Sequence, residues 1–221
     1  MEKYVIIVAG GKGLRMGSDI PKQFLAIKGK PILMHTMECF YEYNSQIRII
    51  LVLPEIQVAY WNQLCQQYNF SLPYQLVFGG ETRYHSVSNG LSAISEKEAL
   101  VAVHDGVRPF VSLKTIADTF VEAEKNGSAV PVIDCVDSVR EIQSSTGDSF
   151  AKDRSSLKLV QTPQTFRISI LRRAYSLPYT PLFTDDASVV EALGEKIYLT
   201  EGNRENIKVT TSFDLKIAEV L

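Results

Sequence analysis

Val5-Ile6-Ile7-Val8-Ala9-Gly10-Gly11-Lys12-Gly13-Leu14-Arg15-Met16-Gly17 is the stretch on which the fold turns, and Pro21-Lys22-Gln23-Phe24-Leu25 follows it closely. The β-branched run reads as a buried strand. It ends at Gly10, Gly11 and Gly13, where the chain can turn sharply and lay backbone N–H groups against a ligand. Arg15 and Lys22 then place two permanent cations just beyond the turn. Strand, glycine turn and cations together suit a polyphosphate, although the glycines alone also suit a plain structural turn. No Gly-Lys-Ser/Thr closes the loop, so it is not a Walker A element. Nor is it a dinucleotide fingerprint: Met16 stands at the third glycine position, and Lys28-Gly29-Lys30 offers no acid for a ribose.

Working outward, apolar strand patterns alternate with helical ones. Helices are predicted over 31–40, 57–68, 86–94 and 112–126, the last stopped by Asn126-Gly127. Strands are predicted over 48–53, 75–78, 100–104 and 129–133. The reading is α/β: a Rossmann-like three-layer sandwich around a mainly parallel mixed sheet, with a projecting β-arm. Sites in such sheets lie beyond the carboxyl ends of the strands, where the glycine turn, Gly79-Gly80 and Asp105 all fall. Residues 137–163 break the rhythm. A strand at 139–142, a turn at 144–148 and a returning strand at 157–161 predict a hairpin that serves as a dimerisation arm, the plainer alternative being a local surface hairpin. Helices near 167–177 and 185–193, a strand at 196–200, the segment 206–209 and a closing helix complete one domain over 1–221.

The 221 residues are 45% apolar and 22% charged, ordinary for a globular chain, and the net charge of -2 argues against a general nucleic-acid grip. Cys39, Cys65 and Cys135 are odd in number and lack metal-ligand spacing, which fits buried thiols in a reducing, cytoplasmic compartment. No apolar run approaches the ~20 residues of a membrane span, and no signal peptide precedes the first strand.

Three further motifs carry chemistry. In Gly79-Gly80-Glu81-Thr82-Arg83-Tyr84-His85-Ser86, paired glycines before a helix permit close approach of a planar base, and Ser86 adds a hydroxyl. Arg83 fits there, or is simply solvated. In His104-Asp105-Gly106-Val107-Arg108-Pro109, Asp105 meets the rim where a carboxylate can hold a sugar hydroxyl or a cation, and Arg108 suits a phosphate. His104 reads as structural. Thr184-Asp185-Asp186-Ala187-Ser188 invites a metal, but charge at a helix N-terminus explains it equally well.

Ala-Gly-Gly-x-Gly-x-Arg-Met followed by Pro-Lys-Gln-Phe-Leu resembles the signature of the sugar-phosphate cytidylyltransferases. The run Asn206-Ile207-Lys208-Val209-Thr210 is closer to the branch acting on 2-C-methyl-D-erythritol 4-phosphate than to the ribitol 5-phosphate branch. The likeness spans nearly the whole chain. It implies that Ala9, Gly10, Gly11, Gly13, Gly79, Gly80, Ser86 and Asp105 bind the nucleotide, here CTP. It implies that Asp105, Arg108, Ser138, Arg154 and Thr184 bind the polyol phosphate, with Arg154 coming from a partner's arm in a homodimer. Arg15, Lys22 and Lys208 are the implied catalytic cations, with Mg²⁺ or another divalent ion held mainly by the CTP phosphates; no protein ligand set is assigned to it, Asp105 being the one candidate. Many members carry two alanines where this chain has Gly106-Val107, and threonine where it has Ser138.

The chemistry implied is attack by the acceptor's phosphate oxygen on the α-phosphorus of CTP, expelling pyrophosphate. A phosphate monoester is largely dianionic above its second pKa of ~6, so no general base is required. The alternatives are the ribitol 5-phosphate reaction and, from another class, a nucleotide-binding sensor without turnover.

Overall fold

The computed structural model describes residues 1–10 and 20–221. Gly11, Gly13 and Arg15 therefore lie outside the described residues. The opening strand, β1 (Glu2–Val8), is flanked by parallel β4 (Arg48–Leu53) and β6 (Ala99–Asp105), and β4 in turn pairs with β5 (Gln75–Phe78). Helices α1 (Ile32–Tyr43), α2 (Val58–Gln67) and α3 (Arg83–Ser92) make the crossovers. A small antiparallel pair, β2 (Ala26–Ile27) and β3 (Lys30–Pro31), precedes α1.

Alternation along β1 sends its side chains into two cores, as a strand covered on both faces requires. Tyr4 and Ile6 join Val52, Val87, Val101 and Val103 on one face, while Val5 and Ile7 join Met37, Phe40, Leu51 and Trp61 on the other. Val5, Ile6 and Ile7 are wholly buried, and complete burial of each such side chain stabilises the fold by about 1.5–3 kcal/mol. The three-layer expectation holds.

Beyond β6, helix α4 (Leu113–Asn126) starts on the Ser112 side chain, which accepts from the Thr115 N–H. It ends at Gly127, whose φ of 93° is the left-handed cap that the Asn-Gly pair predicts. Strand β7 (Ser128–Asp134) follows.

The segment after β7 differs from the expectation. The hairpin is closed by β8 (Val139–Ile142) and β9 (Ser149–Lys152), not by 157–161. The latter stretch instead returns as β10 (Lys158–Val160) and pairs antiparallel with β7 at the edge of the main sheet. An unanticipated strand, β11 (Gln164–Arg167), then runs antiparallel between β6 and β7. Its polar residues conceal it: Gln164 and Thr165 are buried, and Thr165 donates to Thr119 Oγ1 at 3.0 Å.

Short helices α5 (Ile168–Ala174) and α6 (Asp186–Ala192), strand β12 (Leu199–Glu201) beside β7, and α7 (Ser212–Val220) finish the chain. The sheet order is β10-β7-β11-β6-β1-β4-β5, with β12 on β7. Strand order reverses around β1, the place where an open sheet leaves a crevice. Register pairs Val8 with both Asp105 and Val52, so the ends of β1, β4 and β6 form one rim. No helix among the described residues is long and apolar enough to cross a membrane.

Candidate active site

A cavity of about 260 Å³ opens at this rim. Ala9 and Gly10 line it from the end of β1, Lys22 from the next turn, and Gly79, Gly80 and Ser86 from the β5–α3 connection. The connection is built for close approach. A Cβ on Gly80 would lie 2.4 Å from the His85 Cβ, so no side chain fits there. Ser86 Oγ accepts the Gly80 N–H at 3.1 Å and donates to the Thr82 carbonyl at 2.9 Å. Its hydroxyl thus shapes the glycine turn. Gln23, fully buried, donates to the Ala9 carbonyl at 2.7 Å and to Gln57 Oε1 at 2.6 Å, fixing the backbone where β1 ends.

Asp105 lines the cavity from the end of β6. Its Oδ2 lies 3.0 Å from Lys208 Nζ and 3.2 Å from Arg108 Nε, and its Oδ1 lies 3.5 Å from Arg83 Nε. Burial alone would raise this carboxyl, but the charges of Arg83, Lys208 and Arg108 hold it well below the usual carboxylate range. Arg108 is steadied by donating Nη1–H to the Asn206 carbonyl at 2.8 Å. Three cations against Asp105 and the Asp186 that pairs with Arg83 leave a surplus of one positive charge at this point.

His104, one residue before, has a different task. Burial pushes it down to about 4, so the ring is neutral near pH 7. Its Nε2–H donates to the Arg108 carbonyl at 3.1 Å, while Nδ1 accepts from Thr162 Oγ1 at 3.0 Å. Thr162 Oγ1 in turn accepts the Asp105 N–H at 3.2 Å. The chain of bonds ties β6 to the segment before β11, and His104 is structural, as expected.

A second cavity, about 310 Å³, lies on the far side of the same charged residues. Thr184, Arg108, Thr162 and Gln164 line it. Arg83, Asp105 and Lys208 line both cavities and form the wall between them.

A family model described as 2-C-methyl-D-erythritol 4-phosphate cytidylyltransferase matches residues 3–221. The chain belongs to this family. It is 56% identical over 221 residues, the full length of both chains, to the cytidylyltransferase of that name from Phocaeicola vulgatus, and 53% identical over the same span to that from Bacteroides thetaiotaomicron. Among solved structures it is similar to 4-diphosphocytidyl-2C-methyl-D-erythritol synthase from Anaerococcus prevotii, with a TM-score of 0.84, 27% identity and coverage of 99% and 95% of the two chains. The Francisella tularensis 2-C-methyl-D-erythritol 4-phosphate cytidylyltransferase gives 0.80, 31%, and coverage of 100% and 99%. Like these relatives, the chain is a nucleotidyltransferase of the isoprenoid pathway with the Rossmann-like fold.

With the 2-C-methyl-D-erythritol 4-phosphate cytidylyltransferase family established, the expected residues can be placed one by one. Ala9, Gly10, Lys22, Gly79, Gly80, Ser86, Asp105 and Lys208 meet in the first cavity, and Asp105, Arg108 and Thr184 in the second. Ser138 and Arg154 are exposed on and below the arm and line neither cavity. Arg154 donates instead to the Val136 carbonyl of its own chain. Gly106 has no room for a side chain: its Cβ would stand 2.8 Å from the Ala9 Cβ.

Sequence reading underrated Arg83. Helix α3 begins at Arg83 rather than near residue 86, so this cation stands in the first turn, against the positive end of the helix dipole. That placement is the available signal, because it demands carboxylate partners. They are Asp105 and Asp186. Of the adjacent acids, Asp185 caps α6 by accepting the Ser188 N–H, whereas Asp186 is completely buried against Arg83.

Among the described residues no group of three or more His, Cys, Asp and Glu side chains is arranged to hold a metal ion. The carboxylate at the junction of the two cavities is Asp105.

Proposed function

We propose that CTP occupies the first cavity and 2-C-methyl-D-erythritol 4-phosphate the second, and that their phosphates meet at the wall made by Asp105, Arg83 and Lys208. The observation that carries this reading is the shared wall itself, where Arg83 and Lys208 converge on Asp105 and line both cavities. The acceptor's phosphate dianion attacks the α-phosphorus, the bond to the bridging oxygen breaks, and pyrophosphate leaves with that electron pair. Two like charges at ~4 Å repel by about 4 kcal/mol at an effective dielectric of 20, so fixed cations supply much of the rate. Lys22 and Lys208 serve the reacting phosphates, with Arg15 from the glycine turn; Arg108 and Thr184 hold the acceptor. Asp105 converges the cations on one point without neutralising them all.

Asp105, which lines both cavities, would hold a divalent ion such as Mg²⁺ brought in on the triphosphate, and the ion would supply charge neutralisation for the leaving pyrophosphate. The arm completes the acceptor site of a second copy, bringing Ser138 and Arg154 to it in a homodimer. Free Cys39, Cys65 and Cys135 agree with a reducing, cytoplasmic setting.

Pyrophosphate release from CTP and Mg²⁺ tests the assignment. Turnover with 2-C-methyl-D-erythritol 4-phosphate well above that with ribitol 5-phosphate is expected. The reverse preference would reassign the acceptor, and tight CTP binding with no release from either polyol would make the chain a sensor.

A further inference from the structure

The charged residue behind the wall does more than neutralise its neighbour. Asp186 is fully buried and grips Arg83 with both oxygens: Nη1 donates to Oδ1 at 2.9 Å and Nη2 to Oδ2 at 2.7 Å. Tyr175 donates its hydroxyl to the same Oδ1 at 2.6 Å. Burial and the Asp186 charge keep that hydroxyl protonated, so it remains a donor. The ring of Tyr175 stacks on Tyr84 at 4.7 Å, and the Tyr84 hydroxyl donates back to the Tyr175 and Leu177 carbonyls at 2.9 and 2.6 Å. The start of α6 is pinned in its turn, since Gln164 of β11 donates to Asp185 at 2.8 Å and accepts the Ala187 N–H at 2.8 Å. Asp186 is thereby referenced to the strand lying beside β6.

Such an arrangement is a poor way to gain stability, because apolar residues of equal volume commonly do as well as a buried ion pair. It is a good way to fix a planar fork in two dimensions. It also withholds Arg83 from its other anion. Arg83 stands at 3.5 Å from Asp105, longer than the 3.0 and 3.2 Å of Lys208 and Arg108. With Asp186 uncharged, Asp105 would be the remaining carboxylate for that guanidinium, and Arg83 would compete with Lys208 and Arg108 for it.

We propose that Asp186 and Tyr175 are positioning residues that clamp Arg83 across the wall between the two cavities, holding it to the reacting phosphates and off Asp105. The inference rests on the phosphoryl-transfer reading of the site. Asp186→Asn, which keeps the size and removes the charge, is expected to lower kcat about 100-fold while KM for CTP moves less than threefold. Asp186→Glu, still able to accept both N–H groups, is expected to recover to within tenfold of the unaltered enzyme. Tyr175→Phe removes one hydroxyl, and is expected to lower kcat severalfold with little change in melting temperature. It keeps the question open to test if Asp186→Asn does not fold.

Nitrogen-15 NMR of the Arg83 side chain supplies a readout independent of turnover. The clamped guanidinium is expected to show separate, slowly exchanging Nη resonances that collapse to an average in Asp186→Asn, or broaden in Tyr175→Phe. Turnover within twofold of normal in both variants, with only the melting temperature lowered, would reduce the clamp to a structural pair. Unaltered Nη resonances would sink it as well. If the unaltered chain releases no pyrophosphate, the catalytic reading fails, and the NMR result still decides whether the clamp exists.

Discussion

The rim and the arm treat their polar residues in opposite ways. At the rim, Asp105 draws partners from α3, from the turn after β6 and from the segment before α7, and two of them are anchored in turn, Arg83 on Asp186 and Arg108 on the Asn206 carbonyl. On the arm, β8 and β9 pair only with each other, and Ile142 and Phe150 project into solvent. The rim is organised for phosphate within one chain. The arm has no fixed surroundings within that chain, and its arginine turns back on the Val136 carbonyl. A site assembled from both therefore has one half preorganised by the fold and one half that needs an external surface.

The largest expected effect tests the preorganised half. Lys208→Ala should lower kcat by ~10²–10³, the usual cost of deleting one group aimed at developing charge. The melting temperature should stay near normal, because the Lys208 side chain is 41% exposed. Near-normal turnover would mean that the convergence on Asp105 is structural, and the contrast with the arm would dissolve. Next comes the support beneath. The unfolded chain takes up a proton on His104 near 6.5 and the folded chain only near 4, so this residue costs stability as the pH falls through that window. The loss should approach about 3 kcal/mol by pH 4. Asp105, held low by its cations, adds its own loss only below the ordinary carboxylate range. Urea melts of His104→Gln from pH 7 to 4 should show a flatter decline than the unaltered chain; an equally steep one would deny the buried neutral ring.

The arm is tested by mixing. Arg154→Ala should raise KM for the acceptor by ~10-fold, as loss of one charged hydrogen bond costs about 1.5–3 kcal/mol. If the residue works in the partner's site, coassembling Arg154→Ala with Lys208→Ala leaves one intact site in each mixed dimer. Activity at low acceptor concentration should then return to about a quarter of normal. No recovery would place arm and rim in the same chain's site.

What could be read beforehand follows the same division. Apolar strands that pass through the middle of a sheet, such as 48–53 and 100–104, announce themselves because both faces need covering. Asp105 follows from them, since it stands where the strand at 100–104 ends, and Gly10 stands just beyond the buried β1. β11 escaped because Gln164 and Thr165 are polar and still buried, satisfied by α6 and by Thr119. β9 escaped for the opposite reason: all four of its residues are exposed, so no hydrophobic period marks them. Arg83 and Asp186 are 103 positions apart, and nothing local in either motif names the other.

The smallest expected effect is the most direct measure of the contrast. Lys152 and Glu141 form an ion pair at 2.6 Å across the arm, closer than any of the three contacts to Asp105. If distance decided strength, it would be the stronger interaction. Yet Lys152 and Glu141 are 45% and 59% exposed, where water screens the charges and ordering two long side chains offsets the gain. Glu141→Gln should therefore leave both the melting temperature and turnover unchanged within error. A clear drop in melting temperature would show that the arm is held down in solution, and that its surroundings include something more than the chain it belongs to.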